Sequence, residues 1–417
     1  MAADIPHDPY APWRESAFAR YMIGKTLAMI GQSMVVTAIG WELYERTHDA
    51  LALGWVGLVL FVPVVVLSLP AGQFVDRHDR RLILCGALAL FAACAVGLSA
   101  VTQAQGPLWA IYALLFGAGV AQAFYSPASG ALLPGLVSPA NLTGAISWST
   151  GASQFAYLLG PAAAGFLIAH VHAAWPIFLI DAGGALIYLV LLLTIHYVPP
   201  ARERETPGWD EILAGLRFVW TTELILAGIT LDMVAVLLGG AVALLPIFAK
   251  DLLHVGPTGL GWLMTAPSVG AFLTGLLVAH LPPFRRNGPI LLAMVAGFGL
   301  ATIGFGLARD FYLAWIMLFL TGAFDMVSMV IRSNLVQHLT PDAMRGRVQA
   351  VHHIFIGTSN ELGGFESGLT ASWWGPVRSV LFGGVGTLAV VAIAAWRWPS
   401  LRQLGRIEAP EAAKPAT

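Results

Sequence analysis

Long apolar runs broken by short charged interruptions constrain this chain most, and the sharpest interruption is Gly72-Gln73-Phe74-Val75-Asp76-Arg77-His78-Asp79-Arg80-Arg81. It sits between apolar stretches near residues 51–71 and 82–102. Crossing a bilayer takes about 20 apolar residues, so each flank is long enough to span. The charged stretch is then a tight turn at a membrane surface. Arg77, Arg80 and Arg81 mark that surface as cytoplasmic, because Lys and Arg are retained inside during insertion.

Composition agrees. Hydrophobic residues make up 57% and charged residues 11%, against about 45–50% and 25% for soluble domains. A chain this apolar cannot cover a soluble surface with polar groups, so lipid must cover much of it. The expected class is an all-α polytopic membrane protein. A net charge of −1 gives no electrostatic case for a nucleic-acid partner. Cys85 and Cys94 share one apolar run and read as small buried hydrophobes, with no disulfide or metal site expected. No cofactor is expected. Residues 1–16 are polar and the first apolar run is too long for a signal-peptide core, so no cleavable leader is expected.

The runs predict about twelve spans in two sets of about six. Residues 1–17 read as a cytoplasmic tail, 18–198 as an N-terminal six-helix bundle, and 199–222 as a charged linker. Residues 223–397 read as a C-terminal bundle and 398–417 as a second cytoplasmic tail. Within the linker, Ile212, Leu213, Leu216, Val219 and Trp220 fall on one side of a helix, which suits it to lie at the membrane surface. On this topology most Lys and Arg fall on the side of the termini, with Arg46, Lys250, Arg309 and Arg378 opposite, so both ends are expected in the cytoplasm. The halves also repeat: Ala123-Phe124 on to Ser138-Pro139 and Gly144 parallels Ala323-Phe324 on to Thr340-Pro341 and Gly346. Two parallel six-span halves joined by a polar loop are an architecture of secondary transporters.

Gly72, Asp76, Arg77, Arg80 and Arg81 resemble the signature between spans two and three of the major facilitator superfamily, with Asp79 where a second Gly is usual. Trp41-Glu42-Leu43-Tyr44-Glu45-Arg46-Thr47 and Thr340-Pro341-Asp342-Ala343-Met344-Arg345-Gly346 are similar to the bacterial exporters of the enterobactin-exporter and macrolide-efflux type. The resemblance implies a latch: Asp76 accepting from the start of span eleven, steadied by the arginines, with Gly72 allowing close helix approach. Leu281-Pro282-Pro283-Phe284-Arg285-Arg286, the second-half counterpart, keeps the basic pair without the acid. Gly160-Pro161 with Gly165 in span five resembles a degenerate Gly-Pro motif of proton-coupled exporters; equally, it is a packing kink.

Ionisable residues inside a membrane are functional candidates by default. Asp232 in span seven, Asp325 in span ten, and Glu361 and Glu366 in span eleven qualify, all in the second half. Low dielectric disfavours a charged carboxylate, a property that a proton carrier uses. Arg332 lies seven residues after Asp325, on one face of the helix but about 10 Å along its axis. It reads either as an interfacial cation paired with a neighbour or as part of the site. Asp325 reads equally as a coupling residue and as a structural partner. Glu361 and Glu366 are five residues apart, roughly 140° around a helix, so they cannot both face one cavity. Gln122, Tyr125 and Gln154 are candidate cavity residues against simple packing. Gln32 stands where branch members carry an acid, and Ile111–Gly119 lacks the arginine of many proton antiporters. Lys25, early in span one, can reach the surface by its stem.

These readings converge on a monomeric secondary transporter in a bacterial inner membrane, exporting a drug- or siderophore-like small molecule against protons. An uptake symporter or a lipid or lysolipid flippase is the alternative, ahead of a channel. A membrane-embedded enzyme is disfavoured, since no Gly-x-Ser-x-Gly elbow or His-Glu-x-x-His pair appears.

Overall fold

The computed structural model describes residues 8–197, 209–341 and 344–405. Residues 198–208, the ends 1–7 and 406–417, and Asp342-Ala343 lie outside the described residues.

All regular structure among the described residues is helical. The first six long helices are α1 (Ser16–Thr47), α2 (Ala50–Arg77), α3 (Arg80–Gln103), α4 (Leu108–Leu132), α5 (Leu142–Val171) and α6 (Trp175–Leu193). The short α7 (Trp209–Thr221) precedes α8 (Glu223–Leu238) and the single turn α9 (Leu245–Ile247). Then come α10 (Gly256–His280), α11 (Asn287–Leu307), α12 (Phe311–Leu339), α13 (Arg345–Trp374), α14 (Pro376–Arg397) and α15 (Pro399–Gln403).

Eleven helical segments among the described residues are long and apolar enough to cross a membrane. The remaining expected span coincides with α13. Its 30 residues suffice in length, but Ser359, Asn360, Glu361, Glu366 and Ser367 make it polar. Outward-facing Val66, Leu82, Phe166, Val190 and Leu277 are exposed, as expected for a surface solvated by lipid.

The chain forms two compact units. One is Met1–Glu42 with Val59–Thr206, and the other is Leu43–Leu58 with Pro207–Thr417. The sequence division at 198/223 places residues 43–58 with the first half; in the structure they pack with the second. The reason is local: a Cβ on Gly368 would stand 2.7 Å from the Gly54 Cα and one on Gly57 would stand 2.9 Å from the Glu361 carbonyl, so small residues let this part of α2 approach α13. Trp55 packs edge-on to Phe365 at 5.2 Å, and Lys250 bonds Glu45 at 2.7 Å.

In the first unit, Phe18, Tyr21, Leu84, Leu88, Leu132 and Tyr188 form one buried cluster. Residues 8–15 are no loose tail: Trp148 Nε1 donates to the Pro9 carbonyl at 2.9 Å, and Glu15 accepts from Asn141 at 2.8 Å. In the second unit, Leu231, Leu291, Val295, Ile331 and Leu335 form the corresponding cluster. The amphipathic α7 differs from expectation. Val219 is buried with Val336, Val348 and Val351, so part of the apolar face covers protein, while Trp220 stays exposed.

The predicted continuous span 223–248 is interrupted. After α8 the chain passes through a 3-10 turn at Ala241–Leu244, and a wide turn at Phe248–Leu252 follows α9. Gly239-Gly240 marks the break, and the Gly363 carbonyl closely abuts Gly240, leaving no room for a side chain.

Candidate functional site

The second unit holds a buried arginine between two aspartates. Asp232 is carried by α8, and Asp325, Ser328 and Arg332 lie along α12. Side chains on a helix tilt toward its N-terminus, so the long Arg332 stem runs back over the turns before it. Its Nε donates to the Ser328 carbonyl at 3.3 Å and a terminal nitrogen to Asp325 Oδ1 at 3.4 Å. The other terminal nitrogen is ion-paired with Asp232 Oδ2. Thus Arg332 is not interfacial: it is 3% exposed.

The two acids differ. Asp232 is 6% exposed, whereas the Asp325 side chain is 46% exposed. Both border a recess lined also by Val295, Phe298, Phe324 and Ser328, with about 10 Å³ for the centre of a water molecule. That suits one water. The Ser328 hydroxyl, buried there, has no hydrogen-bond partner among the described residues. Two carboxylates and one guanidinium sum to one negative charge. One added proton neutralises the cluster, which lessens the cost of holding it out of water.

Glu361 and Glu366 are not joined to this cluster. Glu366 accepts from Ser367 at 3.4 Å. Glu361 packs against Gly57, where an added Cβ would lie 3.1 Å from its carboxylate. Of the first-unit candidates, Tyr125 is 8% exposed and packs edge-on to Phe91 at 5.9 Å, so it fills core rather than lining a cavity. Gln32 and Gln122 are half-buried and Gln154 is exposed. Lys25 turns inward, donating to Ser149 at 2.7 Å.

Two buried carboxylates escaped the sequence reading as membrane acids, Asp181 and Glu42, the latter near the end of α1 and 8% exposed. Asp181, in α6, is 6% exposed, so buried acids are not confined to the second half. The signal was available: Leu179-Ile180-Asp181-Ala182 places an acid inside span six. It faces Gly31, where an added Cβ would stand 2.7 Å from the Asp181 Cα.

The charged turn between α2 and α3 also departs from expectation. Arg80 donates to the Ala131 carbonyl at 3.0 Å, and Arg81 to those of Ile195 and Leu193 at 2.7 and 2.8 Å. They tie the first unit together rather than steady Asp76, which is exposed along with Arg77. Gly72 makes no close helix contact, for an added Cβ would meet nothing within 4 Å. Asp79, the departure from the family pattern, caps α3 by accepting from the Arg81 amide at 2.8 Å. In α5, Gly160 does permit close approach, with an added Cβ 2.5 Å from Ser33 Cβ, and Pro161 and Gly165 beside it are buried.

Comparison with known proteins gives one consistent answer. The family described as transmembrane secretion effector matches residues 7–411. The enterobactin exporter of Escherichia coli O81 is 27% identical over 381 residues, 90% of each chain, and that of Shigella boydii serotype 18 is 26% identical over 379 residues. Among solved structures, a bacterial homolog of the human lysosomal transporter Spinster superposes with a TM-score of 0.72 at 14% identity, covering 94% of this chain and 98% of that one. A bacterial homologue of the iron transporter ferroportin gives 0.70 at 15% identity, covering 93% and 99%.

Proposed function

Because the chain belongs to the transmembrane secretion effector family, and with it to the major facilitator superfamily of membrane transporters, we propose that it exports a hydrophobic or amphipathic small molecule in exchange for protons. The observation that carries this reading is Arg332, shared between a buried Asp232 and a half-open Asp325. The relatives named as enterobactin exporters support export and a siderophore-like cargo. The setting is a bacterial inner membrane, with both termini cytoplasmic and the monomer as the working unit.

In the proposed cycle, Asp325 exchanges a proton with water through the recess beside Ser328. Its carboxylate draws on Arg332 when charged and releases it when neutral, leaving the guanidinium to Asp232 alone. The two arrangements differ in charge, and so bias alternating access between the halves. Asp76, exposed at the end of α2, takes part in the conformational change rather than in cargo binding. Glu361 and Glu366 are secondary candidates for cargo contact.

The test is transport in proteoliposomes with a panel of labelled siderophore-like and hydrophobic compounds, with internal pH read in parallel. Cargo movement should carry protons the other way. Asp325→Asn should keep cargo counterflow and lose accumulation driven by a pH gradient. Transport indifferent to that gradient would remove proton coupling from the reading. The uncharged stretch Ile111–Gly119 keeps lipid movement as a second reading, which a lipid-scrambling control in the same vesicles separates.

A further inference from the structure

The repeat places a basic pair after the second span of each half: Arg80-Arg81 in the first and Arg285-Arg286 in the second. Their fates differ. Arg80 and Arg81 spend their guanidinium groups on carbonyls of Ala131, Ile195 and Leu193. Arg285 and Arg286 are both exposed and make no side-chain hydrogen bond or ion pair among the described residues.

They border a shallow, largely open hollow of about 420 Å³ that is lined otherwise by Pro289, Ile290, Ala293 and Met294 on α11. That apolar lining is a single stripe, residues one turn apart along the first two turns of a membrane span. The site does not depend on the free amides of a helix start. Asn287 and Gly288 already donate theirs to the carbonyls of Gly405 and Leu404, at 3.3 and 3.1 Å, and Pro289 has none.

We propose that this hollow binds the phosphodiester of an anionic phospholipid in the leaflet at that surface. Two guanidinium groups match a phosphate by paired N–H donors, and the apolar stripe takes the start of an acyl chain. The shared chemistry is a phosphate-bearing anion, but a soluble ion has no use for the apolar lining. The pair also lies where a span begins, at headgroup depth, in a region that the excess of Arg and Lys assigns to the anionic cytoplasmic leaflet. Met294 borders both this hollow and the recess of Asp232 and Asp325. A bound lipid therefore packs on the wall of the charge cluster. The lipid site stands whether or not that cluster carries protons.

The experiment uses the purified full chain in mixed micelles, with retention of phosphatidylglycerol measured against phosphatidylcholine by native mass spectrometry. The wild type should retain phosphatidylglycerol at least fivefold better. Arg285→Gln/Arg286→Gln should bring the ratio to about one. Ala293→Phe, which fills the open hollow and keeps both arginines, should do the same, and Arg285→Lys/Arg286→Lys should keep part of the preference. An unchanged ratio in both the glutamine and phenylalanine variants would overturn the proposal. Displacement of the lipid by millimolar inorganic phosphate would overturn it too, by assigning the pair to a soluble anion.

Discussion

Arg332 and Asp325 are separated by two helical turns on α12, yet the guanidinium reaches the carboxylate at 3.4 Å while holding Asp232 on α8 with its other arm. One side chain thereby connects a sealed acid to an open one. Removing one member of a buried ion pair is costly because it strands the other, by about 3–5 kcal/mol.

Arg332→Met should therefore destabilise the second unit strongly, and Asp232→Leu/Arg332→Met should recover most of the loss. Thermal unfolding followed by calorimetry in detergent reads both. A single variant as stable as the wild type would mean that Asp232 is solvated rather than buried.

Asp79 offers a milder test. As the cap of α3 it accepts from the amides of Arg81 and Leu82, at 2.8 and 3.4 Å. Asp79→Ala should cost about 1 kcal/mol, and Asp79→Gly, the residue usual in the family, only a few tenths. Cys85 and Cys94, buried in the same helix, let a thiol-reactive dye report the melting point. Equal losses for Ala and Gly would deny the cap.

What the sequence made legible was set by strong, additive signals. Long apolar runs located most of the helices to within a few residues, though not the break after Leu238 within 223–248, and the charged turn with its family signature pointed to the fold. The acids of α8 and α12 were visible because charge in a span is conspicuous. Their union through Arg332 was not, since it needs the relative rotation of two helices and the reach of a flexible side chain. Asp181 obeyed the same rule and was passed over in favour of the richer second half. Spacing could not foresee that Gly54 and Gly368 seat residues 43–58 on α13, nor that Tyr125 joins Phe91 in the core, because both depend on which surfaces meet. The role of Gly72 was taken from the family; the structure leaves its surroundings open.

The two glycines make opposite predictions. Gly160→Ala forces a methyl group against Ser33 and should destabilise by about 1–3 kcal/mol as an overpacked contact. Gly72→Ala meets nothing and should be neutral or stabilising by up to about 1 kcal/mol, as Ala favours a helix over Gly. The same thiol assay ranks them, and a reversed order would contradict the packing of α5 on α1.

Glu15 predicts a pH effect outside the spans. Partial burial pushes its carboxyl upward, but hydrogen bonds from the Asn141 side chain and from the Ser138 amide and hydroxyl outweigh that, so it lies below its ordinary 4.5. A group lowered on folding adds stability above its unfolded value and loses it as pH falls through the folded one. Protection of the amides of residues 138–142, taken as exchange relative to the intrinsic rate at each pH, should therefore be high at neutral pH and fall in acid below about pH 4.5. In Glu15→Gln that protection should be lower at neutral pH and should not change with acid in that window. Wild-type protection that is constant down to about pH 3 would show that the Glu15 clamp is not electrostatic.

Asp181 decides whether the charge cluster of the second unit is the whole of the coupling. It is as buried as Asp232, but without an arginine: no ion pair or hydrogen bond to its carboxylate is found among the described residues. Among the described residues Asp181 has no cation to gain or release, whereas Asp325 shares Arg332 with Asp232, so only the second-unit acid has a charged partner whose arrangement a proton can change. Asp181→Asn keeps the shape and removes the option of charge. It should hold or raise the melting temperature and leave the ratio of protons to cargo unchanged in proteoliposomes, while Asp325→Asn abolishes it. If instead Asp181→Asn uncouples transport and Asp325→Asn does not, the proton site lies in the first unit, between α6 and Gly31 of α1, and Arg332 is a structural tie.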